Sequence, residues 1–83
     1  MINAQAEAYG YAAVVPCYNV GRACVPVLEH TAALVDLCIA VDDGSSDDTL
    51  ASMRSISAAN LQILTHERNK GKGAALLTGF RAA

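Results

Sequence analysis

Three short polar clusters in the sequence contain residues that could bind a phosphorylated ligand. The clusters are Pro16-Cys17-Tyr18-Asn19, Asp42-Asp43-Gly44-Ser45 and Arg68-Asn69-Lys70-Gly71-Lys72-Gly73. An aromatic ring could stack on a base, and paired carboxylates could accept hydrogen bonds from a base N–H or from ribose hydroxyls. A basic loop rich in glycine could bind phosphate through backbone N–H groups and ammonium charge. Together these chemistries favour a nucleotide-like ligand.

Each cluster also has a purely structural interpretation. Tyr18 could cover the edge of a sheet, and the two glycines of the third cluster could simply allow a tight start to a helix. Asp42 and Asp43 could cap a helix or form a turn. Two carboxylates directly after an apolar run exceed what capping needs, however, so we favour a binding role for this pair. The third cluster lacks the spacing of a Walker loop, and the first lacks the dinucleotide signature GxGxxG.

The acidic pair leads to a specific expectation about substitution. If Asp42 or Asp43 contacts the ligand, its replacement by alanine should lower affinity at little cost in stability, because Ser46 or Asp47 could still cap the next helix. His66 and Glu67 have no ligand-type partners nearby in the sequence, and we predict that both are solvated.

The elements that must position these clusters follow from the apolar pattern. Continuous apolar runs at residues 11–15 and 37–41 predict two buried strands, the first ended by Pro16, and residues 61–64 predict a third strand. The segments between and after them predict three helices: one starting at Cys24 or Val25, one capped by Ser46 or Asp47 and ending near Asn60, and one over residues 74–83. Their predicted apolar faces are Val25, Leu28, Ala32 and Val35, then Leu50, Met53 and Ile56, then Leu76, Leu77 and Phe80.

The alternation β-α-β-α-β-α with short connections predicts an α/β fold with a parallel sheet, strand order 3-2-1 and helices on both faces. Ligands of such sheets bind beyond the carboxyl ends of the strands, which is where all three clusters fall. One edge of this sheet should be exposed, which favours self-association.

Composition narrows the class of function. The chain has 83 residues, 53% of them apolar and 17% charged, and a net charge of −2. That balance indicates a globular domain and argues against nucleic acid as a partner. Three cysteines without metal-type spacing indicate a reduced, cytoplasmic setting. Residues 1–10 form a leader that lacks the apolar stretch of a signal peptide.

Taken together, the segments resemble family 2 glycosyltransferases, especially the dolichyl-phosphate mannose synthase-like and polyprenyl-phosphate glycosyltransferase branch. The matching segments are Val14-Val15-Pro16-Cys17-Tyr18-Asn19, Val41-Asp42-Asp43-Gly44-Ser45-Ser46-Asp47-Asp48-Thr49 and His66-Glu67-Arg68-Asn69-Lys70-Gly71-Lys72-Gly73-Ala74-Ala75-Leu76. They occur in the family's order and at its spacing, and they cover nearly all of residues 11–83.

The resemblance implies the first half of a GT-A fold, a three-layer Rossmann-like domain that binds a nucleotide-diphosphate sugar. Pro16, Tyr18 and Asn19 would line the nucleoside pocket, and Asp42 or Asp43 would hold the base or ribose. The loop Arg68-Asn69-Lys70-Gly71-Lys72 would lie near the nucleotide or its phosphates. The acceptor would be unspecified, with polyprenyl phosphate as one candidate, and the full-length enzyme would work in the cytoplasm or at the cytoplasmic face of a membrane.

The family's metal-binding D-x-D motif and catalytic base have no counterpart in residues 11–83. We therefore expect this region to be the N-terminal part of the domain and to be inactive alone, with the divalent metal, Mg²⁺ or Mn²⁺, bound by residues elsewhere in the full-length protein. Transfer would invert the anomeric carbon. The alternative is a noncatalytic nucleotide-binding or interaction module.

Overall fold

The computed structural model describes residues 10–83, which form three strands and three α-helices in strict alternation. The strands are β1 (Ala12–Cys17), β2 (Leu37–Asp43) and β3 (Leu61–His66). The helices are α1 (Cys24–Leu34), α2 (Thr49–Arg54) and α3 (Lys72–Ala82), and a 3-10 turn (Gly21–Ala23) leads into α1. Apart from Gly10, the predicted leader lies outside the described residues.

The three strands form one parallel sheet in the order β1-β2-β3, which confirms the predicted order. β2 lies in the middle and is buried along its whole length, as a continuous apolar run predicts. The prediction that Pro16 ends the first strand is wrong, because Pro16 lies inside β1 opposite Val41. Among the described residues β1 is an edge strand, and an edge strand tolerates a residue that has no N–H to donate.

The helices cover both faces of the sheet, so the fold is the three-layer, Rossmann-like α/β architecture that the sequence predicts. On one face α1 and α2 pack on a cluster that includes Leu28, Cys38 and Met53, all fully buried. On the other face α3 packs on a second cluster around Ile39 and Val41. Alternate residues of β2 therefore supply the two sides of the core.

The predicted apolar face of α3 is wrong at two positions, since Leu77 is 49% and Phe80 60% exposed. The helix instead contacts the sheet through small residues, chiefly Ala75 and Gly79. A Cβ atom on Gly79 would lie 2.2 Å from Cγ1 of Val14. The absence of a side chain at this position lets α3 approach β1 more closely than a leucine-lined face would permit.

α1 starts at Cys24, as predicted, but α2 ends earlier than Asn60. Asn60 has a different role, because its side-chain amide donates to the backbone oxygens of Ala32 at 2.8 Å and Val35 at 3.0 Å. These carbonyls lie at the carboxyl end of α1, where backbone oxygens lack helical partners. Asn60 therefore caps α1 from the start of β3.

Candidate functional site

A cleft of about 520 Å³ opens at the carboxyl ends of the three strands, where the sequence places the ligand. Its lining comes from all three polar clusters: Pro16, Cys17, Tyr18, Asp43, Asn69, Gly71 and Lys72. The strand register explains the convergence, because Cys17 stands opposite Asp42 and Asp43 stands opposite His66.

Asp43 is the residue that joins the second cluster to the third. It ends β2 and is only 2% exposed. Its Oδ1 accepts hydrogen bonds from the backbone N–H of Lys70 at 2.9 Å and from Nδ1 of His66 at 2.8 Å. Its Oδ2 accepts from the backbone N–H of Gly71 at 2.9 Å and from Nδ2 of Asn69 at 3.2 Å. One carboxylate therefore holds the third loop against the end of β2.

These hydrogen bonds also determine the charge of Asp43. Burial raises its pKa, because burial disfavours the charged form, but the hydrogen bonds from His66 and from the N–H groups of Lys70 and Gly71 outweigh that effect. The pKa of Asp43 therefore lies below its ordinary value of 3.8. At neutral pH the cleft has a fixed negative charge in its wall.

The prediction that His66 is solvated is wrong. Its side chain is 8% exposed and bridges β2 to α3, with Nε2 2.8 Å from the hydroxyl oxygen of Thr78. Because a carboxylate only accepts, Nδ1 must carry a proton that it donates to Asp43. The sequence signal for this contact was that Asp43 and His66 each lie two residues beyond the predicted ends of neighbouring parallel strands, at residues 41 and 64. Glu67 is exposed, as predicted.

Gly44 allows the second and third loops to touch through their backbones. It adopts a φ of 71°, and a Cβ atom there would lie 2.2 Å from the backbone carbon of Arg68 and 2.3 Å from the nitrogen of Asn69. Contacts of that length do not occur between non-bonded atoms, so only glycine fits. The Asp-Gly step of the motif is thus explained by packing between loops.

A second polar junction joins the first loop to the second. Asn19 has a positive φ of 49°, its backbone N–H donates to the hydroxyl oxygen of Ser45 at 2.9 Å, and its Oδ1 accepts from the backbone N–H of Ser46 at 2.8 Å. Asn19 does not line the cleft. The structure thus gives Asn19 a role in shaping the two loops.

Thr49 is the central residue of that junction, and sequence reasoning missed it. It is fully buried, and its Oγ1 accepts from the backbone N–H groups of Val20 at 3.0 Å and Gly21 at 2.9 Å. The hydroxyl in turn donates to the carboxylate of Asp47, which also accepts the Thr49 N–H at 3.0 Å. Both bonds from Thr49 lower the pKa of Asp47.

Asp42, Arg68 and Lys70 lie around the cleft without lining it, whereas Lys72 lines it. Asp42 is 4% exposed and accepts the backbone N–H of Ser45 at 3.3 Å, which is a turn-forming bond. Arg68 and Lys70 are exposed, and Lys70 contributes its backbone N–H to Asp43. Lys72 begins α3, so the positive end of that helix faces the cleft beside a lysine side chain.

The acidic residues at this edge do not form a metal site. Within residues 10–83, no three His, Cys, Asp or Glu side chains converge so that they could hold a metal ion. The carboxylates of Asp43 and Asp47 instead accept hydrogen bonds from N–H and hydroxyl groups of the protein. The described residues therefore do not fit the divalent metal that the family resemblance implies.

A parallel sheet with helices on both faces and a cleft beyond its carboxyl ends defines a Rossmann-like α/β domain. Residues 12–83 match the family model described as glycosyl transferase family 2, which is consistent with the first half of a GT-A fold. The chain therefore belongs to glycosyltransferase family 2. No curated protein was found to match it. Family membership favours a glycosyltransferase over a noncatalytic module.

Proposed function

We propose that the cleft binds the nucleoside diphosphate part of a sugar-nucleotide donor, and that the chain is the donor-binding region of a glycosyltransferase. The observation that supports this most strongly is the convergence of an aromatic ring, an ionised carboxylate and the positive end of a helix on one cleft. These groups match a base, a base N–H or ribose hydroxyl, and a diphosphate, respectively.

The proposal gives each lining residue a role. Tyr18, which is 48% exposed at the mouth of the cleft, stacks on the base, and Pro16 forms the wall beside it. Asp43 accepts a hydrogen bond from the base or ribose. Lys72 and the first N–H groups of α3 bind the diphosphate. The lysine side chain carries a full positive charge, and the N–H groups at the start of the helix carry partial positive charge.

Other residues of the predicted site act less directly in this proposal. Arg68 and Lys70 add positive charge beside the phosphates, and Asn69 and Gly71 line the cleft and donate hydrogen bonds to Asp43. Asn19 and Asp42 support the loops that carry Tyr18 and Asp43. Asn19 bonds to the second loop and Asp42 bonds within it, and neither residue borders the cleft.

The reaction that we propose for the complete enzyme is transfer of the sugar with inversion at the anomeric carbon, with polyprenyl phosphate as one candidate acceptor and the polyprenyl-phosphate branch as the candidate subgroup. A divalent metal, Mg²⁺ or Mn²⁺, would neutralise the departing diphosphate. Its ligands and the catalytic base lie outside the described residues in this proposal, so the 83-residue chain should bind nucleotide without transferring sugar.

None of the helices in residues 10–83 is long and apolar enough to cross a membrane. Association with the cytoplasmic face of a membrane, where a polyprenyl phosphate would be found, is part of the proposal for the complete enzyme only.

The test is calorimetric titration of the chain with uridine, guanosine and thymidine diphosphates. We expect saturable binding of at least one, weakened about tenfold by Lys72→Ala because a charge-assisted phosphate contact is lost. Arg81→Ala is the matched control, since it removes a positive charge from the last turn of the same helix, far from the cleft. Absence of saturable binding by all three nucleotides would contradict the proposal.

A further inference from the structure

The carboxylate of Asp43 has no unused acceptor position. An ionised carboxylate offers about four lone-pair positions, two on each oxygen. Four protein donors occupy them: the N–H groups of Lys70 and Gly71, Nδ1 of His66 and Nδ2 of Asn69. Yet Asp43 also lines the cleft. A ligand that approaches Asp43 with an N–H donor must therefore replace one of the four.

Three of the four donors are fixed. The two backbone N–H groups belong to the loop that leads directly into α3, and each lies 2.9 Å from its oxygen. His66 is held from both ends, by Asp43 on Nδ1 and by Thr78 on Nε2, and is almost fully buried. Release of either backbone donor would require the third loop or the start of α3 to move, and rotation of His66 away from Asp43 would also break its bond to Thr78.

Asn69 is the exception. Asn69 is exposed and lines the cleft. Its Nδ2 makes the longest of the four bonds, 3.2 Å to Oδ2 of Asp43, and it also lies 3.4 Å from the backbone oxygen of Asp43. An amide shared between two acceptors at these distances is held weakly by each. Rotation of one side chain would free the acceptor position on Oδ2.

We propose that the Asn69 side-chain amide occupies the position on Asp43 that a nucleobase N–H takes when the donor binds, and that binding displaces it. The ligand class is a nucleoside diphosphate whose base presents a ring N–H. The inference rests on the proposed function, and it adds that in the free protein an internal substitute for the ligand occupies one acceptor position of Asp43. Asn69 thus keeps the buried carboxylate satisfied while the cleft is empty, since an unpaired buried charge is costly.

The proposal reverses the usual expectation for a residue that lines a binding site. Removal of the amide with Asn69→Ala leaves the acceptor open, so the nucleotide no longer has to break a hydrogen bond to reach it. Affinity should rise about fivefold, which corresponds to the net worth of one hydrogen bond. The thermal stability of the free protein should fall slightly, because the same bond is lost there.

The experiment is titration of the wild-type chain, Asn69→Ala and Asn60→Ala with uridine, guanosine and thymidine diphosphates, and with an analogue of the tightest binder that carries a methyl group on the ring nitrogen. Asn60→Ala is the control because it also removes an amide that bonds to the protein, but at the far end of α1. A gain for Asn69→Ala with the parent nucleotide, absent with the methylated analogue and absent in the control, supports the proposal.

Two results would overturn it, and they differ from one another. If the wild-type chain binds a nucleotide and Asn69→Ala binds it equally or more weakly, Asn69 is a direct contact or a structural residue, and the displacement is wrong while the proposed function stands. If neither protein binds any of the nucleotides, the proposed function and the displacement fall together. In the supporting case, the side-chain amide resonances of Asn69 in the wild-type protein should also shift on titration.

Discussion

The two junctions at the carboxyl edge of the sheet perform the same mechanical task with different chemistry. Thr49 joins the first loop to the second with a neutral hydroxyl that is enclosed by protein on all sides. Asp43 joins the second loop to the third with a charged carboxylate that borders the cleft. Only one of the two is therefore placed to meet a ligand.

The difference shows how the segment Asp42-Asp43-Gly44-Ser45-Ser46-Asp47-Asp48-Thr49 divides its work. Its first part, Asp43 and Gly44, contacts the third loop, and its later part, from Ser45 to Thr49, contacts the first. The acidic loop is the middle of three loops because β2 is the middle strand. A segment that resembles a single ligand-binding motif thus contains parts of both junctions, and only the junction at Asp43 also borders the cleft.

Separation of the second and third loops should produce one of the two largest effects on stability. Gly44→Ala places a Cβ 2.2 Å from the backbone of Arg68 at a φ of 71°, so the loops must part and the backbone is strained as well. We expect a loss of about 2–4 kcal/mol in the free energy of unfolding, measured by urea denaturation.

The control for Gly44→Ala is Gly73→Ala. A Cβ there meets nothing within 4 Å, and the residue lies in α3. Alanine should leave stability unchanged or raise it by about 0.5–1 kcal/mol, because alanine favours a helix. Equal destabilisation by both substitutions would show that the close approach of the loops has no energetic weight.

The charged junction should depend on pH in a way that the neutral one does not. The pKa of Asp43 is below 3.8 in the folded protein, so its stabilising effect is fully present above that value and is lost as the pH falls below it. At neutral pH, Asp43→Asn should cost about 2–4 kcal/mol, because an amide nitrogen cannot accept the hydrogen bonds of the loop.

Urea denaturation at about pH 7 and at about pH 3 should therefore show the difference between wild type and Asp43→Asn narrowing in acid. A constant difference across that range would mean that the pKa of Asp43 is the same in the folded and unfolded states, which would contradict the lowered value. The sequence predicts that either acidic residue can be replaced at little cost in stability. The geometry revises that prediction for Asp43, because Asp43 holds the third loop. The prediction stands for Asp42, which makes a single long hydrogen bond.

The neutral junction should give the smallest change. Thr49→Val keeps the shape of the side chain and removes the hydroxyl, which leaves the N–H groups of Val20 and Gly21 without an acceptor. We expect a loss of about 1–3 kcal/mol in unfolding free energy. Thr49→Ser retains the hydroxyl and should recover much of that loss. If serine and valine destabilise the protein equally, packing of the methyl group rather than hydrogen bonding explains the burial of Thr49.

Much of the fold could be predicted because the relevant signals are local. The continuous apolar run that becomes β2 and the alternation of strands with helices were enough to give the parallel order and the edge at which the polar clusters meet. Nucleotide binding by those clusters stays a prediction. The three strands could be located from the apolar pattern alone, without knowledge of side-chain contacts.

The errors have a common physical cause, which is contact between residues far apart in the chain. The contacting face of α3 depends on the approach of Gly79 to Val14, so helical periodicity alone selected the larger but exposed Leu77 and Phe80. His66 is polar and follows a strand, which suggests a solvated loop until the register places it beside Asp43. Thr49 was overlooked because the groups that it holds in the first loop are the backbone N–H groups of Val20 and Gly21, which no side-chain pattern reveals.

Nucleotide titration of Asp43→Asn beside Thr49→Val tests most directly whether the carboxylate at the cleft binds the ligand. The titration is made well below the melting temperature of either variant, with the nucleoside diphosphate that binds the wild-type chain most tightly. Both substitutions weaken a junction, but only Asp43 borders the cleft. We expect Asp43→Asn to lower affinity about tenfold or more, and Thr49→Val to stay within about twofold of wild type. Wild-type affinity in Asp43→Asn, or an equal loss in both variants, would contradict that expectation.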